Sequence, residues 1–151
     1  MTVAVDVLPT GFTIRFSGVD VLAGWRRELF VPFDRVVGTR VLTRAEALDS
    51  SPHLACPGLW WPHRFRVGSW GLGERRQLWG VRRGARVVVV YLSGQPFHRV
   101  VVDVDEPERM HHLLDAGLLR CKKAQARRAV RSSIPDQRTT SGPAAEGALE
   151  S

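Results

Sequence analysis

Histidine, cysteine and carboxylate side chains carry most metal and acid–base chemistry, and in this sequence they are few and scattered. His111-His112 precedes Asp115 on what reads as a helix. Neighbouring helical residues point about 100° apart, so adjacent imidazoles do not converge on one ion. His53, Cys56 and His63 flank a tryptophan pair, but a structural zinc site needs a fourth ligand and no further Cys or His lies nearby. Cys56 reads instead as a small apolar filler. Asp103 and Asp105 share a strand face by parity and could form a paired carboxylate, although capping of the next helix accounts for Asp105 more simply. No G-x-S-x-G elbow, H-E-x-x-H pair or phosphate-cradling glycine loop occurs, and Gly68-x-x-Gly71-x-Gly73 lacks the strand-to-helix setting and reads as a turn. With no visible set of nucleophile, base and orienting group, the expectation is a chain that is not an enzyme and carries no cofactor or metal.

Binding is the better-supported class. Trp60 and Trp61 stand together in an irregular stretch, where adjacent side chains diverge and one is left for a partner. Trp70 and Trp79 fall in expected strands, where core packing is the usual reason for tryptophan. Arg75, Arg76, Arg82, Arg83 and Arg86 surround a turn at Gly84, and a hairpin there would gather a basic patch of about five charges. Arg120, Lys122, Lys123, Arg127, Arg128 and Arg131 form the strongest charge feature. A polybasic segment gains about 1 kcal/mol per cation near an anionic leaflet. The bland alternative is a solubilising extension that prolongs the preceding helix.

The net charge of +7 is unevenly distributed. Residues 1–119 hold fifteen Arg against twelve Asp or Glu, a net of +3, while residues 120–151 hold seven Lys or Arg against three acids, a net of +4. The basic character therefore belongs largely to the end of the chain. Its 151 residues suit one domain with a hydrophobic core. The longest apolar run, Val87 to Leu92, is a strand's length and not a membrane span. No signal-peptide pattern opens the sequence, so the expected location is cytoplasmic. There Cys56 and Cys121 are expected as free thiols.

The elements that must position these residues are mainly strands. Val3, Val5 and Val7, then Phe12, Ile14 and Phe16, alternate with polar residues across a Pro/Gly turn and read as a hairpin. A helical turn or two is expected within Val19 to Trp25, and further strands at Leu29–Val31 and Val36–Leu42. Thr43-Arg44-Ala45-Glu46 has capping-box spacing for a short helix over 44–49. Residues 50–63, with three prolines, read as a long surface loop. Four strands follow at 64–70, 75–82, 85–92 and 97–104, separated by glycine-bearing turns, which predicts an antiparallel meander. Asp105 and Pro107 open a helix whose apolar stripe is Met110, Leu113, Leu114, Gly117 and Leu118, with Gly117 permitting close approach to the sheet. Beyond Arg120 the stripe fades, and the Ser/Thr/Pro/Gly/Ala-rich residues 132–151 read as disordered. The expected organisation is a β domain with its helix over 1–119 and a basic, then disordered, tail over 120–151.

Several strings in this order resemble a family. They are Leu29-Phe30-Val31-Pro32-Phe33-Asp34-Arg35-Val36, Cys56-Pro57-Gly58 with Gly68-Ser69-Trp70, Trp79-Gly80-Val81-Arg82-Arg83-Gly84, and Asp103-Val104-Asp105-Glu106-Pro107-Glu108. Together, over residues 3–119, they resemble the pleckstrin-homology-like (PH-like) domains of actinobacteria. The resemblance implies an antiparallel sandwich or partly open barrel of about seven or eight strands, closed by one C-terminal helix. It also implies a non-enzymatic binding or scaffolding module for a protein or peptide, peripheral to the inner membrane face if the basic tail makes a weak electrostatic contact there. The basic cluster that grips phosphoinositides in such domains is missing here, since Arg15 is the only cation near the first hairpin turn. Nucleic acid is the alternative partner, suggested by the Arg cluster and the tail.

Overall fold

The computed structural model describes residues 3–17, 28–50, 55–61, 65–94 and 96–133, with side chains outside 55–61 and 65. The turns expected within Val19 to Trp25 and the tail beyond Ser133 lie outside the described residues. Among those residues the chain forms nine strands and two α-helices. A three-stranded antiparallel sheet holds β1 (Val3–Leu8), β2 (Gly11–Phe16) and β3 (Glu28–Pro32) in that order. A six-stranded sheet holds β4 (Val36–Thr43), β5 (Ala55–Trp61), β6 (Phe65–Trp70), β7 (Gln77–Val81), β8 (Arg86–Leu92) and β9 (Arg99–Val102), in the order β4-β8-β9-β7-β6-β5. Helix α1 (Arg44–Asp49) follows β4, and α2 (Pro107–Ser132) follows β9.

Alternation explains the layers. In the expected hairpin Val3, Val5 and Val7 turn toward the core while Ala4 and Asp6 face solvent. Phe12, Ile14 and Phe16 of β2 meet Leu78, Val88, Val90, Val100 and Val102 of the larger sheet in one buried cluster, closed by Phe33, Leu114 and Leu118. Gly80 marks a close contact between the sheets, because a Cβ there would lie 3.1 Å from both Phe16 and Val3. The opposite face of the large sheet carries a second cluster, with Trp70, Trp79, Val81, Val87, Val89 and Val101 packed with Ala47 of α1. Trp70 and Trp79 are therefore core residues. The capping box forms as its spacing predicts: Glu46 N–H donates to Thr43 Oγ1, and Thr43 N–H donates to Glu46 Oε2 at 2.8 Å.

Three expectations are corrected. Residues 50–63 are not one long loop, because Ala55–Trp61 is strand β5, paired with β6. Its Pro57 and Gly58 fall where the register shifts, on a strand with only one neighbour, and there a proline costs no ladder bond. The strands after β5 are not a simple meander, because β9 inserts between β7 and β8 and runs parallel to β7. The β7–β8 connection must therefore arch over the end of β9. Asp103, one residue past β9, fills that arch: its Oδ2 accepts the backbone N–H groups of Arg82, Arg83 and Gly84 at 2.8, 2.9 and 3.0 Å. A Cβ on Gly84 would lie 2.8 Å from that of Asp103, so glycine is required there.

The third correction concerns the start of α2, whereas its run past residue 119 is the prolonged helix that the basic segment also suggested. The helix continues to Ser132, so the expected boundary between domain and tail falls inside it. Residues 118–131 contain no proline or glycine and are mostly Arg, Lys, Ala, Leu and Gln, which are strong helix formers. Asp105 does not cap α2: the N-cap is Glu106, without a side-chain capping bond, and Pro107 opens the first turn.

Candidate functional site

The inner half of α2 is fixed by packing. Leu114, Gly117 and Leu118 are buried, and the Phe33 ring lies where a Cβ on Gly117 would come within 2.2 Å. Phe33 itself packs against Phe12 at a 49° tilt, with ring centroids 6.2 Å apart, so the helix rests on an aromatic pair. A polar latch adds to this seat. Thr39 on β4 donates its hydroxyl to Asp115 Oδ1 and lies 2.8 Å from His111 Nδ1. With the hydroxyl proton committed to Asp115, the imidazole Nδ1 is the donor to Thr39. His111 Nε2 also lies 3.6 Å from Asp115. This closed triangle uses His111 and Asp115 to tie helix to sheet, while His112 is exposed beside it.

The outer half of α2 has no such seat. Every residue from Lys122 to Ser133 is exposed, as are Leu119 and Arg120, and Cys121 is a half-buried free thiol. Arg120, Lys122, Lys123, Arg127, Arg128 and Arg131 all lie on this projecting segment. Among the described residues none of the six forms an ion pair. No carboxylate occurs between Asp115 and the end of the helix. Cations near a helix C-terminus also interact favourably with the helix dipole.

The other candidate groups fare differently. Arg75 and Arg76 precede β7 whereas Arg82 and Arg83 follow it, so the pairs stand about 20 Å apart along the strand rather than in one patch. The expected hairpin does not exist, since β7 and β8 are separated by β9. Arg86 pairs with Glu108 in the first turn of α2. Arg76 contributes its carbonyl, which accepts the His98 N–H at 3.0 Å. Trp60 and Trp61 lie on β5, opposite Arg66 and Phe65 in the register, not in a loop. His53 and His63 lie outside the described residues. Asp103 serves the arch and does not pair with Asp105. Arg15 is engaged by Asp6, whose hydrogen bond and charge raise the guanidinium's pKa.

Sequence patterns alone do not reveal Arg66 and Arg99, the two arginines buried on the outer face of the large sheet. They are only 6% and 4% exposed. The Arg66 guanidinium lies 3.9 Å over the Trp70 ring and 5.0 Å from Trp79, while Arg99 lies 5.6 Å from Trp79 and 5.8 Å from Tyr91. Arg99 Nη1 donates to the carbonyl and hydroxyl of Ser50, and Trp79 Nε1 donates to Gln77 Oε1. Desolvation pushes Arg66 down to about 10 and also lowers Arg99. The ladder joins β6, β7, β8 and β9 by cation–π stacking. Both guanidinium groups are enclosed, so it serves packing and presents no charge to a partner.

No helix among the described residues is long and apolar enough to cross a membrane. Comparison with protein-family models, curated proteins and solved structures returned no match.

Proposed function

We propose that this chain is a non-enzymatic binding module in which a β-sandwich holds out a basic helical arm for a phosphate-bearing polyanion. The observation that carries this reading is the outer half of α2, a continuous helix exposed at every residue but Cys121, with six cations and no acid. A binding role is also what the PH-like resemblance implies, although the arm lies beyond the stretch that carries that resemblance. The side chains with acid–base potential support the same reading. Asp103 is bound to three amides, His111 and Asp115 are locked to Thr39, and Arg66 and Arg99 are enclosed by rings.

The test uses the full chain and a variant with Lys123, Arg127, Arg128 and Arg131 all changed to Gln. Both are titrated with phosphatidylserine vesicles and with random-sequence DNA in low salt. The native chain should bind at least one probe, and the variant should bind at least about tenfold more weakly, as expected when several contacts of about 1 kcal/mol are removed. Failure of the native chain to bind either probe rejects the reading.

A further inference from the structure

Resting on that reading, we infer that the arm's partner is double-stranded DNA, with the outer half of α2 lying in the major groove and gripping phosphates. The arrangement of charge carries the inference. At 100° per residue, Arg120, Lys123, Arg127, Arg128 and Arg131 fall within an arc of about 140°. The run from Arg120 to Arg131 is about 17 Å long. Leu114, Gly117 and Leu118 mark the side of the helix that faces the sandwich. The centre of the basic arc lies about a quarter turn away, with Arg128 at its edge in line with the packed side, and all five cations are exposed.

The remaining arc discriminates among polyanions. It holds Leu119, Gln125, Ala126, Ala129 and Val130, with Lys122 near its middle. An interfacial membrane helix buries a stripe of bulky apolar residues on that side, and this one would bury a lysine with only Leu119 and Val130 as bulky apolar company. Single-stranded nucleic acid is held mainly by stacking on aromatic rings, and α2 contains no Phe, Tyr or Trp. The deep, narrow major groove of A-form RNA does not admit such a helix. The major groove of B-DNA, about 12 Å wide, accepts a helix about 10–12 Å across. Four of the six cations are arginines, whose planar fork suits phosphate oxygens.

Fluorescence anisotropy of the full chain tests this, using a 20-bp random-sequence DNA duplex, its single strand, an RNA duplex of the same sequence and phosphatidylserine vesicles, each from about 50 to 200 mM salt. The DNA duplex should bind tightest, with a slope of log K against log salt of about −4 for four to five phosphates. Arg127→Gln should reduce that slope by about 1, while Lys122→Gln, on the opposite side, should reduce it clearly less. Circular dichroism establishes that both variants keep the native helix content. Equal effects of the two substitutions, or tighter binding to single strand or RNA, would overturn the groove assignment. Binding to vesicles but not to the DNA duplex would overturn it too, while leaving the polyanion reading intact. Binding to none of the four probes would reject both.

Discussion

The two halves of α2 belong to one unbroken helix and obey different constraints. Between Pro107 and Leu118 the residue types follow the surface beneath: Leu114 and Leu118 fill the core, Gly117 admits the Phe33 ring, and His111 and Asp115 reach Thr39. Between Leu119 and Ser132 only Cys121 still touches the core among the described residues, and the other residue types serve helix formation and positive charge. Isolated helices of about a dozen residues are marginal in water. The outer half is therefore propagated from the inner half, which has already met the cost of nucleation. The packed half acts as a foundation and the free half as a tool.

This contrast predicts a steep gradient of stability along one element. The largest effect is expected at the foundation. Phe33→Ala removes a fully buried ring between Phe12 and Gly117 and should cost about 4 kcal/mol in urea unfolding. Gly117→Leu fails in the opposite sense, by forcing atoms into the same ring, and should cost about 3 kcal/mol. If either variant unfolds at the native urea midpoint, the inner half is not seated as described.

The latch sharpens the comparison on a smaller scale. Thr39→Val keeps the volume but leaves His111 and Asp115 without their shared hydroxyl, a loss of about 1 kcal/mol because both groups are partly hydrated. Hydrogen exchange should show faster opening of the amides near His111, with the β2 amides unaffected. Uniform acceleration across the sandwich would mean the latch is coupled to the whole core.

Particular residues show how far the sequence alone reaches. Val3 to Phe16, the Thr43–Glu46 box and, except for the exposed Leu113, the Met110–Leu118 stripe are legible because each is a local pattern with one physical solution. Gly117 signals a close approach, although what it admits is the Phe33 ring and not the sheet. Strand β5 was hidden because Pro57 and Gly58 are loop residues everywhere except beside a bulge on a strand paired along one side only. The parallel partnership of β7 and β9 is a long-range choice, betrayed only by Asp103, whose carboxylate role needs the arch to exist first. Arg66 and Arg99 could not be told from surface arginines, since what buries them is the register that brings Trp70, Trp79 and Tyr91 alongside. The basic run of the arm was legible as charge but not as shape. Composition predicts both a solvated coil and a prolonged helix, and only the seated inner half decides between them.

The smallest predicted effect is the most specific to the arm. Ala126→Gly combined with Ala129→Gly introduces about 1 kcal/mol of helix penalty at each site. In the inner half such a penalty would be felt by the core. In the outer half it should be absorbed by fraying, because no described residue packs against Ala126 or Ala129 strongly enough to bury them. The urea midpoint should then stay at the native value within error, while far-UV circular dichroism loses the signal of several helical residues and amide exchange beyond Lys122 accelerates. DNA binding should weaken as well, since Arg127, Arg128 and Arg131 would share a face with Arg120 only part of the time. A fall in global stability comparable to that of Thr39→Val would show that the arm is packed against the sandwich, and the division of α2 into foundation and tool would fail.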